Sequence, residues 1–143
     1  MNVSKHGSRS ELALALLLLV AGLSACATLR ASQARVFFAS PSDGATVSSP
    51  VKVTMSAENF IVEPAGAVKA GAGHLHIMVD TDCVAAGAAV PSDATHLHYG
   101  KGQLEAALAL SPGTHTLCLQ AADGAHIALA GAGMTQKIIL TVK

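Results

Sequence analysis

The chain has few of the residues that recognise nucleic acids or stacked ligands. Its 143 residues include no tryptophan, one tyrosine and three phenylalanines, and only 13% of them are charged. Nine Lys and Arg residues balance nine Asp and Glu residues, so the composition offers no basic surface for a phosphate backbone. Aromatic side chains are also the platforms on which bases stack. We therefore expect no nucleic-acid partner.

Residues 1–25 have the composition of a secretory signal peptide. Lys5 and Arg9 give a positive start, and an uninterrupted apolar run covers residues 12–20. A transmembrane helix needs about 20 apolar residues, which is more than this run supplies. The tetrapeptide 23–26, Leu-Ser-Ala-Cys, resembles the lipobox of bacterial lipoproteins. We predict a signal peptide at 1–25, lipid attachment at Cys26 and a tether at 26–34.

Acyl chains on Cys26 would hold the protein at a membrane of the bacterial cell envelope, facing the periplasm or the exterior. A plain secretory signal that leaves Cys26 as an ordinary thiol is the alternative. Of the nine basic and nine acidic residues, only Lys5, Arg9 and Glu11 precede Cys26. The exported part therefore stays close to neutral, with seven basic and eight acidic residues.

Residues 35–143 read as one small all-β domain. Alternating polarity and turn residues predict strands at 35–39, 50–57, 59–62, 74–80, 104–110, 114–121, 125–130 and 136–142. The Ala- and Leu-rich segment 102–110 also fits a helix, but its length and neighbours favour a strand. About seven short strands at this spacing predict an antiparallel immunoglobulin-like β-sandwich.

Two cysteines follow Cys26, namely Cys83 and Cys118. In an oxidising compartment such a pair normally forms a disulfide, and closing a loop of this size stabilises the fold by roughly 3–4 kcal/mol. The alternative role is thiolate ligation of a metal, although the spacing is far from any Cys-x-x-Cys pattern. We predict the disulfide.

Histidines are unusually frequent for so small a domain, and four of them form two His-x-His motifs: His74, His76, His96 and His98. Residues two apart in a strand share a face. Each motif therefore presents two imidazoles side by side. On the first strand we expect the histidine face to point outward and the opposite face to enter the core; the outward set is His74, His76, Met78 and Asp80, and the inward set is Leu75, Ile77 and Val79.

Two motifs brought together by folding would supply four imidazole ligands, enough for a complete copper or zinc shell. His115 and His126 lie near predicted strand ends and are further candidate ligands, as is Met78 through its thioether. Asp80 and Asp93 are candidates to orient the imidazoles through their second N–H. The pattern predicts a transition-metal site, with copper favoured over zinc. The alternative is that the histidines are structural or surface residues.

No catalytic motif points to an enzyme: the chain has no nucleophile elbow, P-loop or dinucleotide fingerprint. A metalloenzyme of the cupin or copper–zinc superoxide dismutase type stays open because of the His-x-His motifs, but the other signatures of both families are missing. We predict an envelope lipoprotein that binds, buffers or delivers a metal ion. The alternative is a structural or adaptor module that binds a protein partner in the envelope.

Several segments resemble one bacterial family, known as domain of unknown function 4399. The resemblance covers about residues 35–143, and its most specific part is the stretch His-Leu-His-Tyr-Gly-Lys-Gly-Gln at 96–103. It also includes the Pro-Ser-Asp-Gly turn at 41–44, Gly-His-Leu-His at 73–76, Pro-Gly-Thr-His at 112–115 and Asp-Gly-Ala-His at 123–126.

The resemblance implies a single small exported domain with all six histidines after residue 25 in family-like motifs. It implies neither an activity nor a particular metal. Members often carry a third histidine inside the first motif, where this chain has Leu75. The pairing of Cys83 with Cys118 is not a family feature, and it rests on the cysteine argument alone.

Overall fold

The computed structural model describes Met1 and residues 33–143. The predicted signal peptide, the lipidation residue Cys26 and most of the predicted tether lie outside the described residues. In the described part, no helix is long and apolar enough to cross a membrane.

The described domain is all-β, as the sequence predicts. Its nine described strands are β1 (Arg35–Ser40), β2 (Thr46–Val47), β3 (Val51–Glu58), β4 (Ile61–Val62), β5 (Ala72–Val79), β6 (His96–Tyr99), β7 (Glu105–Leu108), β8 (Gly113–Ala122) and β9 (Thr135–Val142). One sheet has the order β1-β3-β7. The larger sheet has the order β2-β9-β8-β5-β4, with β6 pairing alongside β4 on the same edge of β5.

The two sheets share one apolar core. The three-stranded sheet contributes Val36, Val53, Met55 and Leu108, and the larger sheet contributes Leu75, Ile77, Leu117, Leu119, Ile138 and Leu140. Alternation along each strand places these side chains on the inner faces. The arrangement is compatible with the predicted immunoglobulin-like sandwich. It departs from a purely antiparallel one, because β2 pairs with β9, and β4 with β5, in parallel.

The predicted strands agree with the observed ones except in a few segments. The segment 104–110 forms β7 rather than a helix. The second His-x-His motif forms β6, which the strand predictions did not include. The predicted strand at 125–130 is wrong: this segment makes only isolated bridges, Ile127 with Ala89 and Ala128 with Ala122. The Asp123 carboxylate accepts the N–H groups of Ala125 and Ile127, which folds the segment into a turn.

The outer face of the larger sheet is also buried where β5 meets β8. Two loops, residues 80–95 and 123–131, lie over it and bond to each other; we call them the loop cover. Gly87 N–H donates to Ala128 O, and Val90 N–H donates to His126 O. Beneath them is a second small core: Met78, Val90, Cys118, Ala122 and Ala128.

The loop cover is fastened to β8 by two side chains. Cys83 and Cys118 form a disulfide with a Cα–Cα distance of 5.6 Å, which confirms the predicted pair. The buried Gln120 amide accepts from Val84 N–H at 2.8 Å and donates to Val84 O at 2.9 Å. The loop therefore has fixed attachment points close to the histidines of β5.

Candidate metal centre

Three segments bring four imidazoles together. β5 provides His74 and His76, the edge strand β6 provides His98, and the turn after β8 provides His126. His98 lies directly opposite His76 in the antiparallel ladder. Such pairs are cross-strand neighbours whose side chains meet. We refer to these residues as the four-histidine cluster.

Three of the four histidines, His74, His76 and His98, place ring nitrogens close enough to share one ion, and the ring of His126 lies against them. Every pair of ring centroids in the cluster lies between 4.7 and 6.0 Å apart. The Nε2 atoms of His74 and His76 are 2.9 Å apart, and those of His98 and His126 are 3.2 Å apart. One ring nitrogen from each of His74, His76 and His98 lies within 4.8 Å of the others. This spacing suits ligands of a single metal ion.

Burial keeps the inner pair of imidazoles neutral. His74 and His76 are 0% and 1% exposed. Burial first, and then the charges of neighbouring histidines, lower the pKa of His74 from 6.5 to about 4 and that of His76 to about 3. Burial also lowers the pKa of His98, helped by the charge of His126. Only neutral imidazole carries the lone pair that binds a metal, so His74 and His76 are ready to ligate at neutral pH.

The inner pair also leaves hydrogen-bonding capacity unused. In the described part of the chain, the buried Nδ1 atoms of His74 and His76 have no hydrogen-bond partner. Buried polar atoms are nearly always paired, and an unpaired one costs about 1–3 kcal/mol. The observation points to a function for these histidines beyond packing.

Backbone strain directs His126 into the cluster. Its φ angle is +67°, a left-handed conformation that non-glycine residues rarely adopt. Strain of this kind is concentrated at functional sites, where the surrounding structure enforces it. Here the turn is held by Asp123, whose backbone O also accepts the N–H of His126. Asp123 acts electrostatically to raise the pKa of His74, against the larger effect of burial.

Gly100 makes room for the outer imidazole. A Cβ atom at this position would overlap the ring of His98, so only glycine allows that ring to lie where it does. The loop between β4 and β5 forms hydrogen bonds with both segments that carry the outer histidines of the cluster, His98 and His126. Ala65 N–H donates to Gly100 O, and Gly66 N–H donates to Gly124 O. The roles of Gly100 and Gln120 could not be predicted from the sequence, because they depend on the position of a side chain, His98, and of a distant loop residue, Val84.

His96 lies outside the cluster, although it belongs to the same motif as His98. Its Nδ1 is 2.8 Å from Asp93 Oδ1, so Asp93 contacts this histidine and not a member of the cluster. The hydrogen bond from His96, together with those from Thr95, lowers the pKa of Asp93 and keeps it a carboxylate. Both residues line an open groove of about 520 Å³ between β6 and the end of β7, which His98 also lines.

His115 lies apart from the cluster as well. Its Nδ1 is 2.7 Å from Asp80 Oδ2, and its Nε2 is 2.9 Å from Ser111 O. The hydrogen bond to Asp80, then that to Ser111 O, raise the pKa of His115. Burial acts to raise the pKa of Asp80, but its bonds with Thr116 N–H and His115 outweigh that effect and lower it. Asp80 therefore orients His115 rather than a cluster member.

One of the two faces of β5 differs from the prediction in its exposure. The alternation is as predicted, with Leu75 and Ile77 in the main core. The histidine face, however, is buried rather than outward, because the loop cover lies on it. Met78 is 0% exposed and packs in the second core beside Cys118.

The family comparison identifies the class of this domain. The family model "Domain of unknown function (DUF4399)" matches residues 53–143. The chain belongs to this family, as the motifs at 73–76 and 96–103 predict. No curated protein and no solved structure matches the chain.

Proposed function

We propose that this protein is a lipid-anchored protein of the bacterial envelope that binds copper in its four-histidine cluster. The observation that carries the proposal is the convergence of four imidazoles, all with centroids within 6.0 Å of one another, on one largely buried spot. Surface histidines that merely face solvent do not converge in this way.

The separation of the inner pair of nitrogens, in His74 and His76, favours copper over zinc. With ligands at about 2.0–2.1 Å from one ion, this pair would subtend about 90°, whereas the outer pair, in His98 and His126, would subtend roughly 100–105°, close to the tetrahedral angle. Right angles are typical of tetragonal Cu²⁺, whereas Zn²⁺ prefers the wider tetrahedral angle. In the metal-free protein, the 2.9 Å separation of His74 and His76 fits an N–H···N hydrogen bond. Copper bound between these two nitrogens would need a lone pair on each Nε2, so the ring that donates the hydrogen bond would carry its proton on Nδ1 instead.

The arrangement supports storage or delivery rather than catalysis. With His126 as the fourth ligand beside His74, His76 and His98, the four-coordinate shell would be full, whereas a catalytic metal keeps a position open for water or substrate. His74 and His76 are buried, and His98 is exposed. An ion would therefore enter and leave on the side of His98, which suits a protein that buffers copper or transfers it to a partner.

The deciding experiment compares copper content and affinity of the purified protein with those of a His98→Ala/His126→Ala variant. These outer histidines are the better choice, because replacing the buried pair endangers folding. His115→Ala is the matched control, since it also removes one imidazole. We expect one copper per chain in the wild type and the control, and loss in the double variant. Copper binding that survives in the double variant would refute the site.

Membrane anchoring is a separate part of the proposal, and it is supported by the residue pattern at 1–26. Mass spectrometry of the protein from envelope fractions should find acyl groups on an N-terminal Cys26. A mature chain that begins elsewhere would refute it. If the wild type binds neither copper nor zinc, the adaptor function is favoured, with the groove beside β6 as the contact surface.

A further inference from the structure

Two histidines outside the cluster, His96 and His115, each hydrogen-bond to a carboxylate. They differ in whether the second ring nitrogen also contacts an acceptor. His115 contacts an acceptor with both ring nitrogens, Asp80 Oδ2 and Ser111 O. Neither nitrogen is left to bind a metal. His96 contacts its carboxylate through Nδ1. In the neutral ring the proton then lies on Nδ1, and Nε2 carries the lone pair.

Asp93 is itself held firmly, which makes His96 a preoriented ligand. Its Oδ1 accepts from Thr95 N–H at 2.9 Å, from Thr95 Oγ1–H at 2.9 Å and from His96 N–H at 3.0 Å. A carboxylate–imidazole pair in which the second nitrogen is free is the usual support of a metal-binding histidine. The negative charge of Asp93 would also attract a cation to the groove.

The groove connects His96 to the cluster. His96 and His98 both line it, and they are two residues apart on β6. Their Cα atoms are therefore roughly 6.5–7 Å apart and their side chains share a face of the strand. His98 is the exposed member of the cluster. An ion held at His96 would need to move only between neighbouring side chains to reach the cluster.

We propose that His96, oriented by Asp93, is an acquisition ligand that receives copper in the groove and passes it to the four-histidine cluster through His98. This inference rests on the proposed function of the cluster. The transfer is a ligand exchange: Cu²⁺ keeps its charge, a bond to His96 Nε2 breaks, and a bond to a His98 ring nitrogen forms. The remaining positions are filled by the small ligands that bring the ion, and these leave as the cluster binds.

The test measures the rate of copper loading separately from the equilibrium affinity for copper. Copper is supplied as its glycine complex to the purified wild type, His96→Ala, Asp93→Ala and His115→Ala, and loading is followed by stopped-flow absorption and freeze-quench electron paramagnetic resonance. His115→Ala is the matched control, because it removes a carboxylate-bound histidine outside the groove. We expect His96→Ala to load at least about tenfold more slowly, with its final copper content and affinity unchanged. Asp93→Ala should fall between His96→Ala and the wild type.

Each outcome has a distinct meaning. Loading of His96→Ala at the wild-type rate overturns the acquisition role and leaves the cluster intact. Loss of equilibrium affinity in His96→Ala, equal to that in the His98→Ala/His126→Ala variant, also overturns it, because His96 would then be a ligand of the final site. A wild-type protein that binds no copper at all overturns both proposals. Circular dichroism of each variant excludes unfolding as the cause.

Discussion

The two faces of β5 are both buried, but they are covered in different ways. The side of Leu75 and Ile77 packs against the opposing sheet in one continuous apolar core. The side of His74, His76 and Met78 is covered by two loops held by the disulfide, by Gln120 and by backbone hydrogen bonds. The apolar face stabilises the fold, whereas the histidine face contains two buried imidazole nitrogens, Nδ1 of His74 and of His76, that have no hydrogen-bond partner among the described residues.

Of the changes predicted here, lowering the pH should reduce the free energy of unfolding most, and it should act through the histidine face. The folded pKa values of His74 and His76 lie at about 4 and about 3, below an unfolded value of about 6.5. Their contribution to stability is therefore complete above about pH 6.5 and is lost as the pH falls toward these folded values. We expect the metal-free protein to lose several kcal/mol of unfolding free energy over this window, measured by urea denaturation.

His76→Leu is the control for the acid experiment, because leucine has no proton to bind. Its stability should fall less steeply with decreasing pH than that of the wild type, and identical slopes would contradict the assignment.

His115 should change the stability with pH in the opposite direction. Since its pKa is raised in the fold, its contribution is complete below its unfolded pKa and is lost as the pH rises through the folded value.

Removing the neighbouring apolar side chain should affect the opposite face alone. Leu75→Ala leaves a cavity in the main core, and we expect a loss of about 2–5 kcal/mol in the free energy of unfolding. Copper content of the folded protein should be unchanged, because Leu75 points away from the cluster. The measurement is urea denaturation together with metal analysis. Loss of copper at full stability would show that the two faces are not independent.

Breaking the disulfide tests how the loop cover is held. The Cys83→Ala/Cys118→Ala variant should lose roughly 3–4 kcal/mol of stability, because the unfolded chain regains the freedom of the closed loop. Hydrogen exchange should speed up most at the amides of the loop cover, including those of Val84, Gly87 and Val90. Uniform exchange across both sheets would indicate that the disulfide stabilises the whole domain rather than this face.

A smaller and more local effect is expected from Gly100→Ala. The added methyl group would overlap the His98 ring, so the ring must move away from the other three. We expect copper affinity to fall by about 10–100-fold, a range typical of disturbed support around a metal ligand. Isothermal titration calorimetry measures the change. Unchanged affinity would mean that His98 is not held by this contact.

The sequence predicted the domain well because its signals are local. Alternation along 74–80 places Leu75 and Ile77 correctly, and the cysteine count predicts the pair that forms. The segment 125–130 was misread because Asp123 binds two backbone N–H groups and turns the chain, which apolar residues in a short window do not reveal. Burial of the histidine face was missed for a related reason: irregular loops cover it, and their paths carry no periodic signal.

The sequence by itself determined the all-β class, the family, the disulfide partners and the two His-x-His motifs. These follow from periodicity, from cysteine chemistry and from contiguous motifs. Only the tertiary structure decided which histidines meet. It joins His98 and His126 to the first motif and leaves His96 opposite Met78, outside the cluster, because the strand pairing of β5 with β6 and the strained turn at 123–126 connect residues far apart in the chain. Metal-ligand geometry is a property of such non-local contacts, and no spacing in the sequence encodes it.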